Sequence, residues 1–222
     1  MELRTYLYVP PREQEAAEAQ GAQWDPRARK WYVPEGRDSE PFKAWLPLWE
    51  EERDLHINGP IFVAEAKTTC WSCGEKTPVV ALATEMLDEN GDPYICTLLE
   101  VEEIPSALSL LFQRHYDFFK KSFSEVGEIV CYMNHCRCGA SQDDWHLHDE
   151  PGGCFFPLSP EEAMTILLRR IPSSESLVFN AAYSVSTHDF IGCYAARVDL
   201  PPDSAPYLAI APRLGQQPGE PS

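Results

Sequence analysis

The sequence has few basic residues and no long apolar segment. Its 222 residues include 18 Lys and Arg against 35 Asp and Glu, which gives a formal net charge of −17. Such a chain repels free nucleic acid and anionic membranes at long range, so any contact with nucleic acid has to be local. No stretch is apolar enough for a membrane-spanning helix, and the first residues lack the apolar core of a signal peptide. We therefore expect a cytoplasmic protein that does not bind membranes.

The sequence also lacks the short motifs that mark common classes of enzyme. It has no phosphate-binding loop, no HExxH zinc-protease motif and no nucleophile elbow around a serine. An enzyme would have to use polar groups in the second half of the chain, and the candidates are His146, His148, Asp144, Glu150, Cys154, His188 and Asp189. We expect a protein without catalytic activity. The alternative is a hydrolase-type enzyme that uses the region of His146, His148 and Asp144.

Composition divides the chain into four segments. They are a small βαβ-type module at 1–49, an acidic linker at 50–59, an α+β domain at 60–200, and a disordered tail rich in Pro, Gly and Gln at 201–222. In the large domain, β-forming runs predict strands near 60–66, 77–86, 94–103, 128–134, 176–186 and 190–200. Apolar spacing predicts helices near 106–123 and 161–170. The predicted fold class is therefore α+β, with a small N-terminal module beside a mixed α/β domain.

Four of the eight cysteines form two pairs that predict a metal site. Cys70 and Cys73 have C-x-x-C spacing, Cys136 and Cys138 have C-x-C spacing, and a glycine follows each pair. In a reducing compartment such pairs more often bind metal than form disulfides. A glycine permits the tight turn that such a loop needs. Four protein ligands fill the tetrahedron around Zn²⁺, so we predict a structural zinc site made of two zinc-ribbon-like knuckles.

The irregular second pair leaves the fourth ligand open. His135 and Cys138 would restore a spacing of two intervening residues, so His135 is an alternative to Cys136. The sequence also does not distinguish zinc from iron, because both metals bind four thiolates in a tetrahedron.

A second polar stretch, DDWHLHDEPGG, follows the cysteine pairs. His146 and His148 are two residues apart and would share one face of a strand. There they could form a second site of histidine and carboxylate type with Asp143, Asp144 or Asp149. The preferred interpretation is a polar turn that leaves the knuckle.

Basic and aromatic residues alternate in the N-terminal stretch WDPRARKWY. They are Trp24, Arg27, Arg29, Lys30, Trp31 and Tyr32. Cations beside flat rings suit single-stranded nucleic acid, because phosphates pair with the cations and bases stack on the rings. A module this small also needs its large aromatic side chains as core. Contact with single-stranded nucleic acid, or with an unknown protein partner, is therefore a hypothesis for this stretch.

The same stretch resembles a small bacterial domain of unknown function that occurs in plasmid TraC-type primases. The shared pattern is a strand ending in VP, a helix ending in GA, the motif W-D-x-x-x-x-x-W-Y-V-P and a segment ending in W-L-P. It is matched by Val9, Pro10, Gly21, Ala22, Trp24, Asp25, Trp31, Tyr32, Val33, Pro34, Trp45, Leu46 and Pro47. The resemblance implies a recognition module attached to DNA-processing proteins. No primase or topoisomerase motif accompanies it, so those activities are not implied.

The remainder of the chain is similar to zinc-ribbon-like bacterial proteins that carry this module at their N-terminus. Their second cluster resembles NHCxxCGA followed by an L-H-[DE]-E-P-G-G run, whereas this chain has NHCRCGA before LHDEPGG. We interpret the whole chain as a non-enzymatic, zinc-stabilised binding or adaptor protein. A further alternative is an acidic protein that binds basic partners, since most of the negative charge lies after residue 50.

Overall fold

A computed structural model describes residues 4–51, 54–172, 176–185 and 189–199. Within these residues the chain forms one eight-stranded sheet, two three-stranded sheets and several short helices. The fold mixes helices and sheets, with strands predominating, which agrees with the predicted class at that level. The expected disordered tail lies outside the described residues, and so does His188.

The N-terminal module is built on a small antiparallel sheet. Its elements are β1 (Thr5–Leu7), a 3-10 turn (Pro11–Glu13), α1 (Gln14–Gln20), β2 (Gln23–Asp25), β3 (Lys30–Val33) and a 3-10 helix (Glu40–Trp45). Its core contains Leu7, Ala17, Ala22, Val33, Phe42 and Trp45. β1 and β2 run in the same direction and are joined by α1, as in a βαβ unit, but β3 lies between them. β3 turns back from β2 in a hairpin, so it pairs antiparallel with β1 and lies in the middle of the sheet.

Eight strands form the main sheet. They are β4 (Leu48–Glu51), β5 (Asp54–Ile57), β6 (Ile61–Thr69), β7 (Lys76–Leu87), β8 (Pro93–Glu103), β12 (Leu167–Ile171), β13 (Leu177–Val185) and β14 (Ala196–Asp199). Their order across the sheet is β14-β12-β6-β7-β8-β13-β5-β4. β12 and β14 pair in parallel, and the other neighbours pair antiparallel.

Shorter elements cover this sheet. They are α2 (Ser106–His115), β9 (Phe119–Ser124), β10 (Ile129–His135), β11 (Ser141–Gln142), a π-helical turn (Trp145–Asp149), α3 (Pro160–Ala163) and α4 (Phe190–Tyr194). Both predicted helices of the large domain are shorter than expected, because β9 follows α2 and β12 follows α3. The last predicted strand begins as α4 and becomes β14 only at Ala196. Among the described residues, no helix has the length and apolar character to cross a membrane.

The central strands β6 and β7 are buried on both faces. Ile61 and Val63 of β6 pack into a core that includes the apolar side of α2, while Phe62 and Ala64 pack into a second core on the opposite face. A strand covered on both sides needs apolar residues at every position, which explains the nearly unbroken apolar run that begins at Ile61.

The segment 50–59 differs from the expected acidic linker. It contains the end of β4 and all of β5, which pair with each other and extend the main sheet beside β13. Leu55 and Ile57 are only 2% and 1% exposed. These two inward side chains alternate with the polar Asp54 and His56, as expected for a strand with one buried face. Residues 52 and 53 lie outside the described residues.

A side-chain amide attaches the β9-β10-β11 sheet to the main sheet. β7 pairs with β8 only from Ala83 to Leu87, so the residues of β7 before Ala83 have no ladder partner on that side. At Val80 of β7, the buried Asn134 side chain accepts the backbone N–H at 2.8 Å and donates to the C=O at 2.9 Å. The amide thus satisfies the two backbone groups that a neighbouring strand would otherwise bind.

Candidate functional site

Four cysteine sulfurs meet at the ends of two hairpins. Cys70 and Cys73 lie in the loop between β6 and β7, and Cys136 and Cys138 lie in the loop between β10 and β11. All four Sγ atoms lie within 4.8 Å of one another. The distances from Cys70 to Cys138 and from Cys73 to Cys136 are both 3.7 Å. The structure therefore brings the four predicted cysteines together as a group that could hold a metal ion.

The spacing of the sulfurs fits a tetrahedral metal site and not a disulfide. With a zinc–sulfur bond of about 2.3 Å, two sulfurs of a tetrahedron lie about 3.8 Å apart. The observed 3.7 Å is close to this value, whereas the sulfurs of a disulfide lie about 2.05 Å apart. All eight cysteines are free thiols. Four thiolates leave no open position for water or substrate, so a metal held here would be structural.

The two loops have closely related backbone geometry. In the first, the N–H of Cys70 donates to the C=O of Glu75; in the second, the N–H of Cys136 donates to the C=O of Ala140, one residue nearer along the chain. The glycine after each pair adopts a positive φ, 75° in the first loop and 94° in the second. The second loop is a copy shortened by one residue, which explains its C-x-C spacing.

Nearby donors favour the thiolate form of Cys70. Backbone N–H groups of Cys73 and Ser72 donate to its sulfur and lower the pKa of this thiol, whereas burial and the neighbouring thiols raise the pKa of Cys73. The buried side chain of Gln142 also lies in reach, with its Nε2 donating to the same sulfur at 3.5 Å. A metal requires deprotonated sulfur, so these contacts prepare the site for an ion.

His135 is not part of the cluster. Its Nδ1 lies 2.9 Å from the C=O of Met133 and 3.3 Å from the C=O of Phe118. The residue is the last of β10, and the chain turns toward the cluster only at the next position. Of the two alternatives for the fourth ligand, the described geometry favours Cys136.

His146 and His148 do not share a face, because they lie in a π-helical turn and not in a strand. His148 is buried, with its Nδ1 3.0 Å from the hydroxyl of Thr97, and burial lowers its pKa to about 3. His146 is exposed, with its Nδ1 2.7 Å from a carboxylate oxygen of Glu150. In the part of the chain that the structure describes, the cysteine cluster is the one group of three or more potential metal ligands.

The other catalytic candidates have local structural contacts. Asp144 accepts the backbone N–H of Glu100 at 2.8 Å, and burial raises its pKa to about 7. Burial raises the pKa of Cys154 to about 12, which keeps its sulfur protonated and unreactive at neutral pH. Asp189 caps α4 by accepting the N–H of Gly192 at 2.8 Å.

Asp25 is the main polar residue of the N-terminal module, and the sequence analysis missed its role. The buried carboxylate accepts hydrogen bonds from Arg4, from the hydroxyl of Tyr6 at 2.7 Å, and from the N–H groups of Arg27 at 2.8 Å and Ala28 at 3.3 Å. The hydrogen bonds from Tyr6 and from the backbone of Arg27 lower its pKa to about 2. The only signal in the sequence was its place in the W-D motif, where an aspartate also fits a simple turn.

Three of the predicted nucleic-acid-binding residues are exposed. The Trp24 side chain is 48% exposed, and its ring lies edge-on to Trp31 with 5.7 Å between centroids. Arg27 and Arg29 are exposed as well, and neither forms an ion pair with a carboxylate of the described residues. These three side chains remain available to a ligand.

The other three predicted residues are used inside the molecule. Lys30 donates from Nζ to the C=O of Gly91 at 2.9 Å. Trp31 packs against the module core, and the Tyr32 hydroxyl donates to Gln23 at 2.8 Å. The predicted surface is therefore about half as large as the sequence pattern indicated.

The module also docks on the large domain, which the sequence did not predict. The hydroxyl of Tyr8 donates to Glu85 of β7 at 2.7 Å. The side chain of Asn58 donates to the C=O groups of Leu46 and Lys43, at 2.7 and 3.1 Å. The bonds of Tyr8 and Lys30 attach the module to the end of the β7-β8 hairpin, and those of Asn58 attach it to the loop between β5 and β6.

Comparison with known proteins identifies relatives of the N-terminal module. Residues 4–47 match the family model described as a domain of unknown function, DUF5710. Two proteins named DNA primase TraC, both from Escherichia coli, are 50% and 45% identical to this chain over 42 residues. The similar stretch is 19% of this chain but only 4% and 3% of the primases. No solved structure matches the chain.

These comparisons confirm one part of the expected resemblance. The N-terminal module is similar to a domain found in TraC primases, as its motifs indicated. The similarity ends before β4, so the likeness of the remaining residues to zinc-ribbon-like proteins stays a prediction that rests on the cysteine cluster.

Proposed function

We propose that the protein is a non-enzymatic, zinc-stabilised binding protein whose N-terminal surface contacts single-stranded nucleic acid. The N-terminal surface consists of Trp24, Arg27 and Arg29. The observation that carries the proposal is an exposed indole beside two exposed arginines without ion pairs. This combination offers a ring for base stacking and cations for phosphates.

The charge of the whole chain makes these arginines notable. With 35 acidic residues against 18 basic ones, an exposed arginine has many possible carboxylate partners. Arg4, Arg169 and Arg197 have such partners. Arg27 and Arg29 have none among the described residues, so binding a phosphate there requires no existing ion pair to break.

The metal centre has a structural role in this proposal. Four sulfurs at tetrahedral spacing fit Zn²⁺, held by Cys70, Cys73, Cys136 and Cys138, and the ion would fasten two hairpins in a zinc-ribbon-like arrangement. Iron would fit the same four thiolates. Colour distinguishes the two, because a ferric-thiolate protein is red and a zinc protein is colourless.

The relatives support a role with DNA. The part of the chain that carries the N-terminal surface is the part that is similar to proteins named DNA primase. The similar stretch covers only a few per cent of those proteins. The similarity therefore supports a shared binding module and not their activity.

The polar groups of the second half support binding over catalysis. Cys154 is held as a thiol, His148 is buried, and Asp144 accepts a backbone N–H. A hydrolase that used His146 and His148 together would need them on one side of a site, and they face different surroundings.

The test is fluorescence anisotropy of a labelled single-stranded oligonucleotide, and of its duplex, with the metal-loaded protein across a salt series. Arg27→Gln with Arg29→Gln should reduce the slope of log K against log salt by about 1.4, because two phosphate contacts on a single strand are lost. Trp24→Ala should weaken single-strand binding about fivefold or more through lost stacking.

A matched control is Lys120→Gln with Lys121→Gln, which changes the charge equally at exposed positions on β9. This variant should bind like the unchanged protein. If no strand binds at low salt, or if both double variants weaken binding equally, the proposed contact is wrong and a protein partner becomes the ligand to seek.

A further inference from the structure

A cleft of about 670 Å³ lies beside the four-cysteine centre, and we call it the knuckle cleft. One wall is the β6-β7 hairpin with its cysteine loop. The other is the π-helical turn and the loop that follows it. The volume lies in the range of small-molecule sites in proteins. The N-terminal surface contributes nothing to its lining.

An exposed indole held in a fixed position forms part of this cleft. Trp71 is 74% exposed, more than any other large apolar side chain among the described residues. Its indole N–H donates to the C=O of Ser141 at 2.7 Å, and it sits between two residues of the cysteine cluster. The ring is therefore held outward by the two hairpin loops, and a flat ligand can stack on it at little cost in side-chain entropy.

Two lysines stand on the same wall. Lys76 is directly opposite Thr69 in the β6-β7 pairing, and Lys67 is two residues before Thr69. Side chains two apart in a strand share a face, so both lysines lie on the face of the hairpin that carries Ile61 and Val63, near the end of α2. Both lysines are exposed and line the cleft, and neither has an ion-pair partner in the described chain.

The carboxylates of the cleft are already engaged. Each accepts a contact from within the chain: Glu150 from His146 at 2.7 Å, Glu162 from the N–H of Leu158 at 2.7 Å, and Asp143 from the N–H of Trp145 at 2.9 Å. These contacts orient the three carboxylates but leave them charged, and Lys67 and Lys76 are the cations of the cleft without an ion pair among the described residues.

We propose that the knuckle cleft binds a nucleotide, with the base stacked on Trp71 and the phosphate held by Lys67 and Lys76. A fixed aromatic face selects a flat ring, and two unpaired cations select an anion attached to it. The exposed hydroxyl of Thr69 adds a phosphate donor on the same face. The ligand is either a free mononucleotide or one unit of a single strand, and this site does not rest on the N-terminal surface.

The experiment is an NMR titration of the metal-loaded, ¹⁵N-labelled protein with AMP and CMP, followed by short single-stranded oligonucleotides. Ligand binding should shift the indole N–H signal of Trp71, assigned from its absence in Trp71→Phe. The double variant Lys67→Gln with Lys76→Gln should bind mononucleotides about tenfold more weakly or worse. Lys120→Gln with Lys121→Gln is the matched control and should bind normally.

Trp71→Ala should also lose about tenfold in affinity, since base stacking is removed. Its Co²⁺ absorption spectrum shows whether the cysteine centre is intact; if it is not, the lysine variant alone decides. Tighter binding of oligonucleotides than of mononucleotides identifies the ligand as a strand, and equal affinity identifies a free nucleotide. Absence of any Trp71 shift, or equal binding by the two lysine double variants, overturns the proposal.

Discussion

The sulfur of Cys136 lies 3.7 Å from that of Cys73, whereas the ring of the preceding His135 contacts two backbone carbonyls. We therefore expect Cys136→Ser to remove one metal–sulfur bond and His135→Ala to remove none. Co²⁺ titration, followed by the thiolate-to-metal absorption band, measures both variants. Cys136→Ser should bind Co²⁺ at least about tenfold more weakly with a reduced band, and His135→Ala should titrate like the unchanged protein. Weaker Co²⁺ binding by His135→Ala would indicate that His135, and not Cys136, is the fourth ligand.

The ionisation of Asp25 should make the stability of the N-terminal module depend on pH. Its pKa falls from 3.8 to about 2 on folding, because Tyr6 and the backbone of Arg27 donate to the carboxylate. A lowered folded pKa means that the contribution is fully present above about pH 4 and is lost as the pH falls toward 2. Urea midpoints from tryptophan fluorescence should drop across that window.

Asp25→Asn tests this origin of the pH dependence. The variant should have a lower urea midpoint at pH 7 and a flatter pH profile between 4 and 2. Glu15→Gln, at an exposed position of α1, is the control and should follow the unchanged protein. An identical acid profile in Asp25→Asn would assign the loss of stability to other carboxylates.

Some of these residue roles could be read from the sequence and others could not. The cysteines were found because metal ligands cluster at short spacing before glycine. Asp25 was not found because its partners Arg4 and Tyr6 are 21 and 19 residues away and meet it only in the folded sheet. Lys30 was assigned to a ligand for the same reason, since its acceptor is 61 residues away.

Among the elements, β10 is hydrogen-bonded to β7 of the main sheet through the side-chain amide of Asn134. Asn134→Ala would leave the N–H and C=O of Val80 buried without their partners. We expect a loss of about 2 kcal/mol or more in the free energy of unfolding, because each buried polar group without a hydrogen-bond partner destabilises the folded state. Chemical denaturation of the metal-loaded protein measures this loss, and faster hydrogen exchange of the Val80 amide locates it.

The matching control for this variant is Asn180→Ala. Its amide makes an exposed contact of 3.3 Å with Asp54, so the change should be within about 0.5 kcal/mol of neutral. If the two variants were equally stable, the amide of Asn134 would not be what attaches the two sheets.

The strands were easier to predict than the helices. Runs such as those in β6, β7 and β8 are apolar and bounded by turn residues, so they can be recognised as strands. The stretch after α2 carries Phe118 and Phe119 among polar residues, and its spacing fits a helix as well as a strand. In the folded protein this stretch is the strand β9, because it pairs with β10. Residues 50–59 were assigned to a linker because their charge concealed the inward Leu55 and Ile57.

At the scale of the whole molecule, a metal held by the four cysteines would link chain positions that are 63 and 68 residues apart. A cross-link of this span restricts the unfolded chain by about 4 kcal/mol. Removal of the metal with a chelator should therefore lower the thermal midpoint by about 10 °C. Calorimetry before and after chelation, and again after Zn²⁺ is added back, measures the effect. An unchanged midpoint would mean that the cysteines pack without needing an ion.

The sequence patterns predicted a mixture of helices and strands, but not the way the parts meet. Docking of the N-terminal module uses Tyr8 and Asn58, which belong to no pattern that marks an interface, and Lys30, which the pattern assigned to an external ligand. Such contacts depend on which two surfaces of the folded parts meet, and this cannot be read from the local sequence.

The separation of the two cysteine pairs also sets an order of events during synthesis. A ribosome adds roughly 5 to 20 residues per second, so about 3 to 13 s pass between Cys73 and Cys136. Until then the first pair has only half of a coordination sphere. The β6-β7 hairpin would carry two reduced thiols through that interval, and full coordination of an ion has to wait until Cys138 has been added to the chain.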